Sequence, residues 1–320
     1  MENNLAIVYN RHEEMNVQRN DKTVLKNFVD FIREYMAKSR RPDSYKNLYR
    51  NAASQLEAFG KHLGKVIYTN MLGEEALEEF VFFLQEQQNL MSSTVKGMIE
   101  RTKAMLQKAY NGGYPVDPTF RDYIYRDEDI SSIFLSMTDI ARLYYFKGLK
   151  KNREIVRDYF IIGCMTALRY SDYSRITKEN FIDGRISIRT KKTKAPVIVP
   201  VHKFVREIME KYNWELPKAK SIQYFNKLIK EVCKDAGFTE LIPYERKKGL
   251  CFTSIMRPKF ELVSSHTARR SAATNMFLAG IPPLRIMKIT GHRSEQIFNK
   301  YIKISNEENA ITLSAHQFFN

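Results

Sequence analysis

Apolar side chains that return every three or four residues run through most of this chain, and this helical period constrains its fold more than any other feature. Over residues 21–113 the pattern predicts four amphipathic helices, the first from about Asp21 to Lys38. Pro42 and Gly73 precede the second and third helices, and the fourth is capped by Ser92 or Ser93. Four short helices in succession predict a small bundle.

After residue 113 the spacing of apolar residues is no longer helical throughout. Residues 114–136 hold two prolines and a charged stretch without periodicity, so they predict a linker. Helices return after Ser136 or Thr138, and the segment NREIVRDYFIIGCMTAL is apolar on most sides, which predicts a buried helix. RISIRT and VIVPV then alternate apolar and polar residues around a KKTK turn, the pattern of a β-hairpin, and helices resume from Val201. The predicted fold class is mainly α with a small β-sheet or hairpin (α+β).

Charge is distributed unevenly along the chain. Lys and Arg number 52 against 36 Asp and Glu, which gives a formal net charge of +16. Residues 1–112 carry 16 basic and 14 acidic side chains, whereas residues 113–320 carry 36 and 22. A chain this basic attracts polyanions, of which nucleic acid is the usual one. The alternative is a basic protein whose charge serves only its solubility.

Three further observations concern the cellular compartment in which the protein acts. The chain has three cysteines without a CxxC pair, which excludes a disulfide framework or a zinc ribbon. The longest apolar run, residues 159–168, is much shorter than the roughly 18 residues that a membrane span needs. The N-terminal segment lacks the basic-then-apolar pattern of a secretory signal. We therefore expect a cytoplasmic protein.

Four places hold residues that could carry chemistry. In TALRYSD, Arg169 follows the buried helix, and Asp172 three residues later could hold it in a structural ion pair. In HTARRSAATN, His266 and Arg269 share one helical face, as a surface His/Arg pair often does. The other two places are single residues: His292 follows Gly291, the terminator of a helix, and Tyr301 lies in FNKYIKI, where a core or rim tyrosine is the ordinary interpretation.

Taken together, these elements resemble the tyrosine recombinase (phage integrase) family. ALRYSD, a basic hairpin, HTAR, GH and a tyrosine follow one another in the order of that family. The spacings of 26 residues from His266 to His292 and of nine from His292 to Tyr301 are also typical of it. One departure is TALR in place of the more frequent TGLR, which bears on the backbone geometry at Ala167.

The resemblance implies a domain organisation and a function. It implies an N-terminal extension over residues 1–20, a helical core-binding (SAM-like) DNA-binding domain over 21–113, a linker over 114–136 and a catalytic domain over 137–320. The implied function is that of a site-specific DNA recombinase that acts as a homo-tetramer on two sites in double-stranded DNA. A type IB topoisomerase and a non-catalytic DNA-binding regulator are the alternatives, although a regulator would be expected to have lost part of the motif set.

The resemblance also implies a role for each motif residue. Tyr301 would attack the DNA to form a 3′-phosphotyrosine, and Arg169 and Arg269 would hold the phosphate oxygens. His266 and His292 would donate hydrogen bonds to the phosphate or assist proton transfer, and Asp172 would orient Arg169. The general acid would be a hairpin lysine; Lys192 is favoured over Lys191 and Lys194 because it precedes Pro200 by eight residues. The chemistry implies neither a metal nor a nucleotide cofactor.

Overall fold

The computed structural model describes residues 25–126, 132–248, 251–292, 294–299, 301–302, 310, 314 and 317–319. The chain separates into two compact units, and the main division between them falls after residue 130. The N-terminal unit is helical. Its elements are α1 (Phe28–Lys38), α2 (Asp43–His62), a 3₁₀ turn (Thr69–Met71), α3 (Glu74–Glu86), α4 (Ser92–Asn111) and a second 3₁₀ turn (Pro118–Arg121).

All four helices turn apolar side chains into one core. The fully buried members include Phe28, Ile32, Leu56, Leu77, Phe80, Leu84 and Leu106. Burying a side chain of this size stabilises the fold by roughly 1.5–3 kcal/mol. The predicted helical bundle is confirmed.

The first helix begins later than its apolar pattern predicts. The Asn27 side chain accepts hydrogen bonds from the backbone N–H groups of Val29 at 3.0 Å and Asp30 at 3.3 Å, so it caps a helix that begins at Phe28. Backbone bonds from Phe28 to Ile67 and from Thr69 to Lys26 keep the preceding residues out of the helix. Residues 21–24 lie outside the described residues.

The start of α4 also differs from the expectation. Met91 occupies the N-cap position, and neither Ser92 nor Ser93 caps the helix with its side chain. The Ser92 hydroxyl lies 2.9 Å from the Tyr125 hydroxyl, which also accepts a bond from Gln85 at 3.0 Å. The prediction of a serine cap was wrong because Ser92 is buried in a contact with a distant segment.

Residues 114–126, in the segment where the sequence predicts a linker, pack onto the bundle. Phe120 is buried in the bundle core, and four partly buried side chains pack around it or nearby: Tyr114, Val116, Tyr123 and Tyr125. The Lys103 ammonium donates to the backbone carbonyls of Arg121 and Tyr123. Aromatic and valine side chains without helical spacing therefore still contribute to the core.

The rest of the chain is also mainly helical and forms the C-terminal unit, except that the described residues 245–248 and 251–253 group with the N-terminal unit. The first elements after the division are α5 (Met137–Tyr145), α6 (Lys151–Thr166), α7 (Tyr170–Tyr173) and a 3₁₀ turn (Lys178–Asn180), followed by the strands β1 (Phe181–Ile182), β2 (Arg185–Arg189) and β3 (Pro196–Pro200). Two helices, α8 (Lys203–Lys211) and α9 (Ile222–Asp235), lead to the strands β4 (Leu241–Lys248) and β5 (Cys251–Pro258). The last elements are α10 (Lys259–Leu262), α11 (Ser265–Leu278), α12 (Pro283–Thr290), α13 (Glu295–Asn299) and a 3₁₀ turn (Gln317–Phe319). The fold class, mainly α with small antiparallel sheets, is as predicted.

Helix α6 is the centre of the C-terminal unit. Its residues from Ile155 to Cys164 are buried, and α5, α8, α9 and α11 pack around it. The polar pair Arg157 and Asp158 is buried too, and the Asp158 carboxylate accepts bonds from Arg157, Lys211 and Tyr212 at 2.7–2.9 Å. Burial of charge is tolerated here because each carboxylate oxygen has partners.

The predicted hairpin is present and is extended by a third strand. β1, β2 and β3 form an antiparallel sheet in that order, with Ile186 opposite Val199 and Ile188 opposite Val197. These four side chains are buried and the residues between them are not, which is the predicted alternation. The sheet presents its β2–β3 turn, residues 190–195, at one end.

The sequence pattern missed a second hairpin, β4–β5, in a region where only helices were expected. β4 contains Pro243 and ends in the charged run ERKK, and its described side chains are exposed or half-buried. A strand that buries no face has no apolar alternation by which to recognise it. Within the part of the chain that the structure describes, every helix is too short or too polar to span a bilayer.

Candidate active site

Arg169 stands just after the end of α6. That helix ends at Ala167, whose φ of 56° lies in the left-handed region that glycine adopts without strain. An alanine there costs about 1–2 kcal/mol, so the TALR departure has a structural consequence. Arg169 follows as the N-cap residue of α7, half-buried, and its side chain makes no ion pair or hydrogen bond with other described residues. Its guanidinium is available to an anion.

Asp172 does not form the predicted ion pair with Arg169. Its Oδ1 accepts a 2.7 Å hydrogen bond from the backbone N–H of Lys191 and lies 3.6 Å from the Arg175 guanidinium. The carboxylate is fully buried, and its Oδ2 has no hydrogen-bond partner among the described residues. The expectation fails because Arg169 precedes α7 rather than lying within it, so the two residues do not share a helical face. Asp172 instead joins α7 to the lysine turn.

The three candidate lysines occupy the β2–β3 turn. A bond of 2.9 Å from Thr190 to Ala195 closes the turn, and Lys194 adopts a positive φ of 58°. All three lysine side chains are exposed. The positive charge of Lys192 contributes to lowering the pKa of His266, which places that lysine within electrostatic range of the histidine. The structure therefore brings the turn to the edge of the same site.

Helix α11 carries His266 and Arg269 from a capped start. Ser264 is its N-cap, and the Ser264 backbone N–H donates to the Thr267 hydroxyl at 3.0 Å. The His266 side chain reaches solvent, yet it stands in a crowded, strongly positive place. Partial desolvation, and then the charges of Arg270, Arg269, Arg169 and Lys192, lower its pKa, so it is neutral at pH 7.

Arg269 is not half of a surface pair, because only 2% of its surface is exposed. Its Nη1 donates to the Ala167 carbonyl at 2.7 Å, and its Nη2 donates to the Thr290 carbonyl. The Nε is buried without a hydrogen-bond partner among the described residues. Burial and the nearby charge of Arg169 lower the pKa of Arg269 to about 10, so it stays cationic at neutral pH.

His292 follows α12, which ends at Gly291 with a φ of 67°, the predicted glycine terminator. The His292 Nδ1 lies 2.9 Å from the Thr290 hydroxyl, and its Nε2 lies 3.4 Å from Nη2 of Arg269. Because a guanidinium has no acceptor, Nε2 accepts and Nδ1 carries the proton. Desolvation, followed by the charges of Arg269 and Arg169, lowers the pKa of His292 to about 4.

Tyr301 lies in the turn just after α13. Its backbone is held by a 2.7 Å bond to the Phe298 carbonyl and by the Thr274 hydroxyl, which donates to the Tyr301 carbonyl at 3.2 Å. The Tyr301 ring centroid is 4.5 Å from that of His292 and 5.7 Å from Cζ of Arg269. The tyrosine therefore contacts the buried arginine and the neutral histidine together.

Sequence reasoning missed three supporting residues. Arg270 is half-buried, donates to the Ile133 carbonyl at 3.1 Å and adds positive charge beside His266. Thr290 binds both Arg269 and His292, and Thr274 holds the Tyr301 backbone. A polar residue buried on an otherwise apolar helix face, as Thr290 is beside Ile286 and Met287, was the available signal. Within the described residues no group of three or more His, Cys, Asp or Glu is arranged to hold a metal ion.

A helical N-terminal domain, and a mainly helical C-terminal domain that gathers Arg169, His266, Arg269, His292 and Tyr301, define a tyrosine-type site-specific DNA recombinase. Residues 134–308 match the model of the phage integrase family, and residues 27–125 match that of the phage integrase SAM-like domain. The chain therefore belongs to the phage integrase family. None of the curated proteins matches its sequence.

Solved structures share the fold at low sequence identity. The Tn1549 transposon integrase in complex with a circular intermediate DNA has a TM-score of 0.65 and 13% identity, over 91% of this chain and 99% of that one. A lambda integrase dimer bound to a COC′ core site gives 0.60 and 12%, over 91% and 81%. A lambda integrase tetramer bound to a Holliday junction gives 0.57 and 12%, over 86% and 79%. At this identity the likeness concerns the fold.

Proposed function

We propose that this recombinase cleaves and rejoins DNA through a covalent 3′-phosphotyrosine at Tyr301. The observation that carries the proposal is the contact of the Tyr301 ring with both the Arg269 guanidinium and the His292 imidazole. A tyrosine held between a buried cation and a neutral base is set up as a nucleophile toward an anionic substrate.

The two arginines would bind the scissile phosphate. Arg169 has no partner among the described residues, and the buried Nε of Arg269 also lacks one. Each therefore has hydrogen-bond capacity left for a phosphate oxygen, and guanidinium groups fit phosphate well. Positive charge fixed in place before the reaction stabilises the developing negative charge, a contribution of about 3–4 kcal/mol for a single donor in other enzymes.

The histidines would have different tasks. His292 keeps its proton at Nδ1, and its Nε2 would exchange the 3.4 Å contact with Arg269 for the Tyr301 hydroxyl and assist proton transfer as the phenolic oxygen attacks phosphorus. His266 is neutral and reaches solvent at the start of α11, where its ring N–H would donate to a phosphate oxygen. The charges that surround His266 favour the approach of an anion.

Lys192 would complete the step. As the bond from Tyr301 to phosphorus forms, the bond from phosphorus to the 5′ oxygen breaks, and the lysine ammonium gives that oxygen its proton. Rejoining reverses the step, so the energy of the phosphodiester is retained in the phosphotyrosine and neither metal nor nucleotide is required. Asp172 supports Lys192 indirectly, because its carboxylate holds the N–H of the neighbouring Lys191.

The partner would be double-stranded DNA, bound by four copies of the chain on two sites. The fold is shared with integrases whose structures contain DNA, among them a lambda integrase tetramer on a Holliday junction. The formal charge of +16 supports binding to a polyanion. We further propose that the protein acts in the cytoplasm, on the DNA of a mobile element.

The test is covalent trapping of the protein on a nicked suicide substrate made from the DNA that flanks its own gene. On a denaturing gel, the wild type is expected to form an adduct, and Tyr301→Phe is expected to bind DNA without forming one. Tyr170→Phe is the matched control, since the Tyr170 hydroxyl is already engaged with the Lys220 carbonyl at 2.6 Å and should not be the nucleophile. An adduct that persists in Tyr301→Phe and disappears in Tyr170→Phe would contradict the assignment.

A further inference from the structure

Arg101, in the N-terminal unit, is a half-buried cation that forms no ion pair with any described carboxylate, although the charge of the adjacent Glu100 acts on it. It lies on α4, and its side chain makes no hydrogen bond or ion pair with any described residue. Its Nε is buried and unsatisfied. Arg33 of the same unit shows the ordinary arrangement, since its guanidinium lies 2.6 Å from the Glu57 carboxylate. An arginine that loses hydration without gaining a partner needs another explanation.

Tyr49 of α2 lies within electrostatic range of Arg101, and Tyr45 precedes it by one helical turn. Tyr45 and Tyr49 are four residues apart on one helical face, with ring centroids 5.0 Å apart, and α2 packs against α4. The Tyr45 hydroxyl donates to the Tyr49 hydroxyl at 3.1 Å. The hydroxyl proton of Tyr49 is therefore directed elsewhere, and it meets no acceptor among the described residues. Desolvation raises the pKa of Tyr49 to about 12, with the Tyr45 contact adding to it and the Arg101 charge opposing it, so this proton is retained at neutral pH.

The guanidinium is also placed for an incoming ligand. Gly97 lies one helical turn before Arg101, and a Cβ at Gly97 would stand only 3.0 Å and 3.1 Å from Nη2 and Nη1. The arginine side chain therefore folds back over the bare glycine. Arg41 adds a second positive charge, with its Cζ 5.7 Å from the Tyr45 ring centroid. Arg41, Arg101 and the Tyr49 hydroxyl supply positive charge and hydrogen-bond donors without a carboxylate among them, which is the composition of an anion site, although the charge of the adjacent Glu100 also acts on Arg101.

We propose that Arg101, with the Tyr49 hydroxyl, binds a backbone phosphate of the DNA duplex. This inference rests on the proposed function, because it takes DNA as the substrate. A phosphate oxygen would accept from the Arg101 fork and from Tyr49, and these bonds would satisfy the donors that the free protein leaves unpaired. The contact would add affinity and fix the position of the N-terminal domain without reading a base.

The experiment compares full-length variants on a mixed-sequence 30-base-pair duplex, by fluorescence anisotropy at several salt concentrations. Arg101→Gln is expected to weaken binding about tenfold or more and to lower the slope of log Kd against log salt by about one. Arg101→Lys should keep the slope and lose a smaller part of the affinity, because the charge remains and the fork is lost. Tyr49→Phe should weaken binding by a few fold with the slope unchanged.

Arg33→Gln is the matched control, and it should keep both affinity and slope because Glu57 already balances that charge. The melting temperature of Arg101→Gln should equal or exceed that of the wild type, since the arginine has no hydrogen-bond or ion-pair partner among the described residues to lose. Wild-type affinity and slope in Arg101→Gln would overturn the proposal. A loss of affinity for only one of two duplexes that differ in sequence would also overturn the proposal, because it would indicate a base contact.

Failure of this proposal and failure of the proposed function give different results. At saturating protein, Arg101→Gln should still form the Tyr301 adduct on the suicide substrate. An adduct in both proteins with no change in duplex affinity would overturn the phosphate site alone. A wild type that binds the duplex and never forms an adduct would contradict the proposed function and leave the affinity test of Arg101 valid.

Discussion

At the residue scale, the candidate site is organised by the burial of one arginine. Arg269 draws the carbonyl at the end of α6, the carbonyl of Thr290 and the imidazole of His292 to a single guanidinium. Desolvation, followed by the positive charges of Arg269 and Arg169, lowers the pKa of His292 and keeps it neutral. The protonation state of the candidate base is therefore a consequence of packing, and two predictions at this scale follow from the charges around it.

The first prediction concerns pH and stability. The pKa of His292 is lowered to about 4 in the folded protein, against about 6.5 in an unfolded chain. Between these values the unfolded chain binds a proton that the folded protein does not, so stability falls as the pH falls from about 6.5 towards 4. From pH 7 to pH 5, we expect the melting temperature of the wild type to fall by roughly 2–4 °C more than that of His292→Gln, the effect of about 1 kcal/mol after allowing for solvent screening.

Calorimetry at the two pH values measures this difference. His266 and His202 also have lowered pKa values and remain in the variant, so part of the acid sensitivity should persist. An equal fall in both proteins would show that His292 is not held neutral by the fold.

The second prediction identifies the general acid. Lys192→Ala is expected to cleave ordinary DNA about 100-fold more slowly. It should regain much of its rate when sulfur replaces the 5′ leaving oxygen, because a thiolate leaves without a proton. Lys191→Ala and Lys194→Ala are the matched controls from the same exposed turn, and they should bind DNA less tightly without selective rescue. Single-turnover cleavage of the two substrates measures the effect, and rescue of Lys194→Ala instead would move the acid by two residues.

At the scale of the elements, the helices α6, α7 and α11 pack against one another at Gly163. A Cβ at this position of α6 would lie 2.7 Å from Cε1 and 2.9 Å from Cζ of Tyr173 in α7, and 3.1 Å from the Ala268 Cβ in α11. α7 follows Arg169 directly, and α11 carries Arg269. The absence of a side chain at Gly163 therefore sets how closely the two arginines approach each other.

We expect Gly163→Ala to push α7 and α11 apart. Its overpacking should lower stability by about 1–3 kcal/mol and reduce the rate of adduct formation by roughly tenfold or more, with a smaller effect on DNA affinity. Denaturant unfolding and trapping on the suicide substrate measure the two effects. The matched control is Tyr173→Phe, which keeps the ring and removes a buried hydroxyl that has no partner among the described residues. Adding Tyr173→Leu to Gly163→Ala should restore part of the activity, and no recovery would contradict this account.

At the scale of the whole molecule, the proposed tetramer requires contacts between copies of the chain. The C-terminal segment NEENAITLSAHQFF, residues 307–320, is rich in apolar side chains near its end. Most of it lies outside the described residues, but the Phe318 and Phe319 side chains are 82% and 60% exposed. Exposed aromatic side chains are typical of protein contacts, so we propose that this segment docks on a neighbouring copy.

Deletion of residues 307–320 should therefore separate binding from recombination. We expect the truncated protein to bind a single site within about twofold of the wild type, because the described DNA-facing candidates are all retained. Recombination between two sites should fall by at least roughly tenfold, since the copies would no longer be coupled. A gel-shift titration and a two-site recombination assay measure these outcomes, and full recombination by the truncated protein would contradict the idea.

The sequence by itself determined the elements and the family. Apolar period and turn residues are local properties, so the bundle, the hairpin and the Gly291 terminator could be predicted from neighbouring residues alone. The order and spacing of the motifs predicted the candidate site residues in the same way, from the sequence alone. The β4–β5 hairpin was missed, since the described side chains of β4 are exposed or half-buried and produce no apolar alternation. The start of α1 and the cap of α4 were also missed, because contacts with distant segments decide them.

Only the tertiary structure decided which of these residues meet. Asp172 binds the backbone amide of Lys191, 19 residues further along the chain, rather than Arg169. Arg269 is buried between the carbonyl of Ala167, which is 102 residues away in sequence, and that of Thr290, which is 21 residues away. Such pairings depend on how α6, α7, α11 and the sheet close around a common core, and desolvation there sets the charge state of His292. Local sequence patterns do not show how these elements pack together. The distant partners are selected by the free energy of burying the whole domain, in which each buried polar group needs a partner.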